Sequence, residues 1–257
     1  METCPLDALW HIMAFLPSMD LASCYALNKS IHSAWTSFLG EMRIINMSYS
    51  LEKHRHAVTT LVRHASRARQ VVLTGSHTLI TDTYFNGTLA VYLNKMDHLV
   101  HVSVSYCTKL SELLLSSPTL ESLHLSGCDQ LTDLELQCPR LNSLTCAWCR
   151  SLNVPKFVTS SDVPNLTQLV LTGWDPTAAS ANVHVDHLLR TCPTVTFLNV
   201  SNVSFSNAGL HAIFASSSLR SVVFSQPQAN VWVDGTWSLE ELDACRRRRP
   251  DVQVLLL

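Results

Sequence analysis

The sequence predicts an α/β protein in which a short three-helix segment precedes an open solenoid built on one curved parallel sheet. Paired apolar residues, two positions apart, recur along most of the chain, and a cysteine follows several of these pairs at a fixed distance, which predicts the solenoid. The apolar residues of the first forty positions follow helical spacing instead, which predicts the helical segment.

The clearest repeat unit is Leu120–Leu134, which reads LESLHLSGCDQLTDL and fits the leucine-rich repeat template L-x-x-L-x-L-x-x-C-x-x-L. Further units open at Leu99, Leu141, Leu166, Val195 and Leu219. Successive units from 99 to 219 are 21, 21, 25, 29 and 24 residues apart, within the range of about 20–29 residues expected of this repeat. Looser copies at Met42 and Ala68, and a last one with Val252 and Val254 in its inner positions, bring the sheet to about nine strands.

Alternation within a unit predicts which side chains are buried. In the unit from Leu120, Leu123 and Leu125 point inward, while Ser122 and His124 point outward. One such strand cannot bury its apolar side alone, so we expect the units to stack into a parallel sheet over a shared core.

The outward-facing side chains are expected to form the concave face of the solenoid. By register they are His101, Ser103, Ser122, His124, Ser143, Thr145, Gln168, Val170, Phe197, Asn199, Ser221 and Val223. This face is small, polar and almost uncharged. On it, His101, His124, Gln168 and Phe197 are candidate contacts for a partner protein.

Aromatic residues follow several strands and are expected at the rim of the sheet. Tyr106, Trp148 and Trp174 occupy such positions, and the insertion Gln226–Trp237 contains two further tryptophans. Exposed rim aromatics are typical anchors for a protein partner, and Trp148 and Trp174 are therefore candidate partner-binding residues. The alternative is that some of these rings cover the edge of the core.

Unit length predicts the convex side. Units of 21 residues leave little room for a helix, so those from Leu99 and Leu120 should return in extended or 3₁₀ form. Longer units have room for helices, expected at His54–Ala65, Val185–Arg190, Asn207–Ala215 and Ser238–Arg247. The last begins with the capping box Ser238-x-x-Glu241. The pattern predicts no structure for Gly75–Asp97.

The cysteine pattern predicts packing and no metal site. Cys107, Cys128 and Cys149 recur at one position of successive units, where a cysteine acts as a small buried hydrophobe. Cys146 and Cys149 form a C-x-x-C pair, but they occupy different repeat positions and no second pair with ligand spacing follows. No metal and no cofactor is therefore expected.

Composition excludes several classes of function. With 47% hydrophobic residues, 15% charged residues and a net charge of −2, the chain of 257 residues should fold without general attraction to nucleic acid or anionic membranes. The start of the sequence lacks a basic leader, and the nine cysteines are expected to be reduced, so a cytoplasmic or nuclear protein is predicted. No catalytic triad, paired carboxylates or glycine-rich phosphate loop is evident, so we expect no enzyme activity.

Residues 1–40 are expected to form a separate small domain of three helices, with the repeats in 41–257. Apolar residues at helical spacing define the first helix, between Pro5 and Pro17: Leu6, Leu9, Ile12, Met13 and Leu16. Asp20 is placed to cap a second helix. A third is expected to carry Ile31, Trp35 and Phe38.

The string PLDALWHIMAFLPSMDLASCYALNKSIHSAW resembles an F-box. Its specific part is Phe-Leu-Pro-x-x-Asp-Leu, from Phe15 to Leu21, with Trp35 fourteen residues further on. The repeats are similar to the cysteine-containing leucine-rich repeats that often follow an F-box. Together these features resemble an F-box/leucine-rich repeat protein.

The resemblance implies a substrate adaptor of an SCF-type ubiquitin ligase. The F-box would bind a Skp-type adaptor, and through it a cullin and a RING protein, while the repeats would present a substrate protein for ubiquitination. The residues implied in adaptor binding are Pro5, Leu6, Leu9, Ile12, Leu16 and Pro17.

Other interpretations stay open at this point. Residues 1–38 can be a helical cap that seals the first repeat, and the whole chain can be an interaction scaffold without degradation or, as a third class, a small-molecule receptor. Arg246–Arg249 can complement the dipole at a helix end or form a nuclear-import or acidic-partner patch.

Overall fold

The computed structural model describes residues 29–48, 55–75, 80–176, 178–225 and 237–257. The strands are β1 (Ile44–Ser48), β2 (Gln70–Thr74), β3 (His101–Ser105), β4 (Glu112–Ser116), β5 (Ser122–His124), β6 (Asp133–Gln137), β7 (Ser143–Thr145), β8 (Gln168–Val170), β9 (Phe197–Asn199), β10 (Ser221–Phe224) and β11 (Gln253–Leu256). The helices are α1 (Lys29–Glu41), α2 (Arg55–His64), α3 (Asp82–Tyr84), α4 (Ala90–Leu93), α5 (Val154–Ser160), α6 (Ala178–Thr191), α7 (Asn207–Ala215) and α8 (Leu239–Arg248), with a π-helical turn, Phe85–Leu89, between α3 and α4.

Nine strands form one open parallel sheet in the order β1-β2-β3-β5-β7-β8-β9-β10-β11. Each repeat unit adds one strand next to that of the preceding unit, with a side-chain register that never slips. This confirms the α/β fold, the parallel sheet and the strand number that the repeat pattern predicted.

The short units return along the convex side in extended form, as their length predicted. In these two units, β4 and β6 pair in parallel to form a second, two-stranded sheet. Leu113, Leu115, Leu134 and Leu136 point from it into the core, while the alternating residues are exposed. Each of these two units therefore has one strand in the concave sheet and one in the convex sheet, and both strands bury apolar side chains in the core between them.

The core is a continuous apolar layer between the sheet and the convex elements. The inner residue of each strand lies in register with the next, as Leu123, Leu144 and Leu169 do, and all three are buried. Trp35 and Leu39 of α1 are also buried, and the Trp35 ring meets the His64 ring of α2 edge-on at 5.9 Å. The third predicted N-terminal helix therefore forms and packs against the first repeat.

The helices of the longer units form where predicted, with one difference in length. α2, α7 and α8 match their expected ranges, and α6 begins seven residues earlier than Val185. Ser238 caps α8 by accepting a hydrogen bond from the backbone N–H of Glu241 at 3.2 Å, which confirms half of the predicted capping box. Within the described ranges, no helix combines the length and apolar character needed to cross a bilayer.

Three features were not predicted. Residues 82–93, inside the segment without an expectation, are helical, and α5 forms in the unit from Leu141. Asn153 caps α5 by accepting from the N–H of Lys156, and Pro155 fits its first turn. In the last strand the inner residues are Val254 and Leu256, which pair with Val222 and Phe224; the assignment of Val252 to an inner strand position was wrong. Val252 is buried but precedes the strand.

Candidate functional site

The concave face consists of two rows of side chains that run across the strands. The first row is Ile44, Gln70, His101, Ser122, Ser143, Gln168, Phe197, Ser221 and Gln253, and the second is Asn46, Val72, Ser103, His124, Thr145, Val170, Asn199, Val223 and Leu255. All twelve residues assigned to this face from the sequence lie in these rows. Val223 is nevertheless 95% buried, with 5% exposed, so it contributes little surface.

His101 and His124 share one hollow of the concave face. They lie on adjacent strands and line a cavity of about 470 Å³ together with Gln70, Ser103 and Ser122. Burial, and then the charge of His101, lowers the pKa of His124. The hollow contains the His124 imidazole, whose charged form is disfavoured, and the hydroxyls of Ser103 and Ser122, which suit hydrogen bonds better than ion pairs.

Gln168 and Phe197 form a second location on the same face. They are register partners on β8 and β9, and Ser143 on β7 precedes them in the row. His101 lies four strand spacings from Phe197, about 19 Å at the usual distance between strands. The candidate contacts thus fit an extended or folded protein surface and do not converge on one small-molecule pocket.

A single repeat position with left-handed backbone runs along the carboxyl ends of the strands. Tyr106, Gly127, Trp148 and Gly173 occupy it in successive units, with φ of 58°, 71°, 60° and 67°. The backbone N–H of each donates to a carbonyl of the next unit at 2.6–2.9 Å. We call these four residues the aromatic–glycine ledge; Gly75 and Asn202 occupy the same position of the two flanking units, with φ of 80° and 56°.

Aromatic and glycine residues alternate along the ledge because each ring covers the next glycine. A Cβ atom at Gly127 would lie 2.6 Å from Cδ1 of Tyr106, and one at Gly173 would overlap Cε3 of Trp148. Both rings stay accessible, with 52% of Tyr106 and 44% of Trp148 exposed. Arg150 lies 5.8 Å from the centre of the Trp148 ring, within cation–π range. The ledge therefore offers two flat aromatic surfaces beside the polar concave face.

Two of the predicted rim aromatics are buried instead of exposed. Trp174 is 2% exposed, and its indole N–H donates to the carbonyl of Leu152 at 2.9 Å. Trp237 is 7% exposed and packs against Phe205 and Phe224. The expectation of an accessible Trp174 was wrong, because the residue lies one position past the ledge, where the chain turns back into the core. Residues 226–236, including Trp232, lie outside the described residues.

The recurring cysteines form a buried column beside the ledge. The Cys128 thiol points to the carbonyl of Val104 at 3.3 Å, and the Cys149 thiol to that of Leu125 at 2.6 Å, one unit back in each case. The neighbouring sulfurs of Cys128 and Cys146, and burial, raise the pKa of Cys149. Burial likewise raises the pKa of Cys138 to about 11. These thiols pack and donate weak hydrogen bonds, in agreement with the packing role predicted for the column.

Of the described residues, His211, Glu241 and Cys245 have metal-ligating atoms close together, within 4.8 Å of one another. Nε2 of His211 lies 3.0 Å from Glu241, and Nδ1 lies 3.7 Å from Cys245. Arg248 already contacts this cluster, with Nη2 3.2 Å from the Glu241 carboxylate and 4.0 Å from the Cys245 sulfur. A metal ion would have to displace this guanidinium group, so the cluster is better described as a salt-bridge network.

Part of the basic run 246–249 is structural. Arg249 donates to the carbonyls of Phe214, Ser216 and Leu219 at 2.7–3.2 Å, and its salt bridge to Asp251 is 2.8 Å long. It therefore ties the turn after α8 to the end of the preceding unit. Arg246 and Arg247 remain at the surface of α8.

The predicted adaptor-binding residues, from Pro5 to Pro17, lie outside the described residues. Of the segment that resembles an F-box, the described part is α1. The domain boundary near residue 40 and the role of this segment stay predictions.

Residues 13–225 match the protein family described as At1g61320/AtMIF1, LRR domain. No curated protein matches the chain. Two solved structures are similar over nearly all of it. One is a chain from the crystal structure of the Rad7 and Elc1 complex in yeast. The match covers 98% of the present chain and 74% of the yeast chain, at 13% identity and a TM-score of 0.49. A Bacteroides fragilis protein covers 99%, with 72% of its own length, at 12% identity and a TM-score of 0.41. Both likenesses are too weak to bear on the function of this chain.

Proposed function

The chain belongs to the leucine-rich repeat domain family of At1g61320/AtMIF1, and on that premise we propose that it is a substrate-recognition adaptor of an SCF-type cullin-RING ubiquitin ligase. In this proposal the repeats hold a substrate protein, and residues 1–40 bind a Skp-type adaptor. The protein itself makes and breaks no bonds.

The aromatic–glycine ledge is the observation that carries the substrate-binding half of the proposal. Tyr106 and Trp148 are held rigidly over glycines while about half of each ring stays accessible. Rigid exposed aromatics beside a polar face have the composition of a protein interface, in which a few aromatic anchors contribute most of the binding energy.

The proposed mechanism is proximity. A substrate held on the concave face would have its lysines near a ubiquitin-carrying enzyme, which raises their effective concentration without any new chemistry. An open sheet suits this role, because a protein partner can approach from both edges. The resemblance of residues 5–35 to an F-box supports the ligase-facing half.

The ledge is tested by Trp148→Ala in proximity labelling of cells that express the full chain. Substrate proteins labelled by the wild type should be lost with Trp148→Ala, while the adaptor and the cullin stay labelled. All of them should be retained with Val183→Ala, which removes an exposed apolar side chain from α6 on the convex side. An unchanged set of labelled proteins would remove the ledge from the substrate site.

The ligase-facing half is tested by replacing Leu9 and Ile12 with Asp. Both residues are implied in apolar helix packing against the adaptor, so charge at either position should abolish co-purification of a Skp-type protein and a cullin. Thermal unfolding of the repeats should be unchanged. Co-purification that persists in both variants would refute the F-box assignment, and a cullin complex whose clients do not accumulate under proteasome inhibition would favour a scaffold.

A further inference from the structure

A charged cleft lies at the amino-terminal ends of the strands, next to the uncharged concave face. Its volume is about 720 Å³, and its charged walls are formed by Arg43, Arg69, Arg140, Asp97 and Glu121. His98 and His101 lie between them. The arginines come from different repeat units, and the two that are farthest apart in the sequence, Arg43 and Arg140, are separated by 97 positions.

Backbone hydrogen bonds fix the order of these residues across the sheet. The N–H of Arg69 donates to the carbonyl of Arg43 at 2.7 Å, and that of His101 to the carbonyl of Arg69 at 2.9 Å. Next across the sheet, the N–H of Glu121 donates to the carbonyl of Val100 at 2.9 Å. Arg140 comes shortly before β7, which is the strand after β5 in the sheet. The cleft therefore has a basic pair at one end, a single arginine at the other, and acidic side chains between them.

The three arginines outnumber the two carboxylates of the cleft, Asp97 and Glu121, and form an ion pair with neither of them. Several other arginines of the described ranges are paired, as Arg67 is with Glu41 at 2.6 Å and Arg220 with Asp251 at 3.4 Å. Within the same ranges Arg43, Arg69 and Arg140 form no salt bridge, although Arg43 contacts the carbonyl of Arg67 at 3.5 Å. Arginines gathered in a cleft without carboxylate partners favour an anionic ligand.

We propose that this cleft binds an extended peptide segment of the protein partner with acidic residues at its two ends and neutral residues between them. Three to four strand spacings separate the basic pair from Arg140, about 14–19 Å, which an extended chain covers in about four to six residues. A single phosphate group would reach only one end, and a continuous acidic run would meet Asp97 and Glu121. The inference rests on the proposed function, because the cleft shares Gln70 and His101 with the concave hollow.

The test is fluorescence anisotropy of the full chain with a labelled peptide that carries two glutamates at each end and about four Ser or Gly residues between them. We expect saturable binding that weakens with salt, and no binding of the same peptide with Gln in place of Glu. Arg69→Glu and Arg140→Glu should each weaken binding about tenfold, since each replaces an attraction by a repulsion. Arg247→Glu, at an exposed position of α8 outside the cleft, is the matched control and should change binding less than twofold.

The outcomes separate this inference from the proposed function. Equal loss with Arg247→Glu, or equal binding of the Gln peptide, would show nonspecific attraction and overturn the cleft. Tighter binding of a peptide with one central phosphoserine, sensitive to Arg69→Glu but not to Arg140→Glu, would replace the extended acidic ligand by a single phosphate. If the acidic peptide fails to bind while Trp148→Ala still loses its labelled proteins, the cleft is refuted and the substrate adaptor stands.

Discussion

Positive φ angles recur at one position of the repeat, where three glycines, two aromatic residues and one asparagine, Asn202, stand in six successive units. Glycine adopts this conformation at no steric cost, whereas Tyr106 and Trp148 adopt it at a cost of about 1–2 kcal/mol each. The rings lie over Gly127 and Gly173, so each aromatic residue depends on the absence of a side chain in the following unit. Because the turn of the repeat imposes this conformation in six successive units, the exposure of the two rings, and not the backbone strain, makes Tyr106 and Trp148 candidate anchors.

Gly173→Ala tests this dependence. The methyl group would meet the Trp148 ring and enforce a strained backbone, so we expect a loss of about 1–3 kcal/mol in the free energy of unfolding. Gly40→Ala is the control, because no atom lies within 4 Å of the added methyl in α1, and it should stabilise slightly. Chemical denaturation measures both. Adding Trp148→Ala to Gly173→Ala should recover part of the loss, and strict additivity would show that ring and glycine do not interact.

The lowered pKa values of two histidines predict that the protein becomes less stable on mild acidification. Burial is the main cause that lowers the pKa of His124 and of His184, with smaller contributions from His101 and His187. Because the folded state binds protons less readily than the unfolded state, stability is full above the ordinary histidine pKa of about 6.5 and decreases as the pH falls through it. The melting temperature should therefore drop between pH 7.5 and about 5.5, and less in a variant with both His124→Gln and His184→Gln. An identical drop in that variant would assign the effect to other groups.

At the scale of elements, unit length decides how the convex side is built. The short units close with β4 and β6, and the longer ones with helices such as α6 and α7. β4 is an edge strand of a two-stranded sheet, and edge strands need partners for their backbone N–H groups. The helical segment 82–93 and the residue after it supply them, since Asn86 accepts from the N–H of Leu114 at 2.9 Å, and Asn94 from that of Ser116 at 3.1 Å.

Asp82 is the strongest of these links and gives a further prediction. Its carboxylate accepts from the backbone N–H groups of Ser111 at 2.7 Å and Glu112 at 2.9 Å, and from the Ser111 hydroxyl. Burial opposes its charge, but these hydrogen bonds outweigh burial and lower the pKa of Asp82. Asp82→Ala should therefore destabilise the protein by about 1–3 kcal/mol at pH 7.

The pH dependence of that loss is the diagnostic measurement. A depressed carboxyl pKa stabilises the fold above the unfolded value of about 3.9, and this contribution disappears as the pH falls through the folded value. The difference between wild type and Asp82→Ala should thus shrink below about pH 4. Asp129→Ala, at an exposed aspartate, is the control and should have little effect at either pH. A pH-independent loss would mean that packing, not the charge, is responsible.

At the scale of the whole molecule, the core has no internal boundary among the described repeats. Each unit contacts mainly its neighbours, so the stability of the array depends on unbroken stacking. Leu144, in the central strand β7, pairs with Leu123 on one side and Leu169 on the other and is 1% exposed. A cavity at this position would separate the two halves of the solenoid.

Leu144→Ala is expected to cost about 2–5 kcal/mol, the range for deleting a buried leucine side chain. It should also lower the denaturant dependence of unfolding, because weakened coupling in the middle lets one half unfold before the other. Val254→Ala, in the partly buried final strand, should lower the free energy of unfolding by less and leave its denaturant dependence unchanged. Equal slopes for wild type and Leu144→Ala would show that cooperativity does not depend on the central interface.

The concave rows could be assigned from sequence because alternation in a strand is local: His101 and His124 point outward for the same reason that Leu123 points inward. The extended return of the short units followed from unit length alone. α5 was not predicted because it has only seven residues, so its buried Val154, Phe157 and Val158 cover a single helical turn and do not establish a repeating period.

Repeat register, strand number and the outward residues therefore follow from periodicity, since they depend on one unit and its length. The burial of Trp174 depends on the Leu152 carbonyl, and the cleft requires Arg43, Arg69 and Arg140 from separate units to meet at one edge. No local pattern encodes either. Burial and charge clustering are properties of neighbouring units, and stacking across the solenoid is what brings those neighbours together.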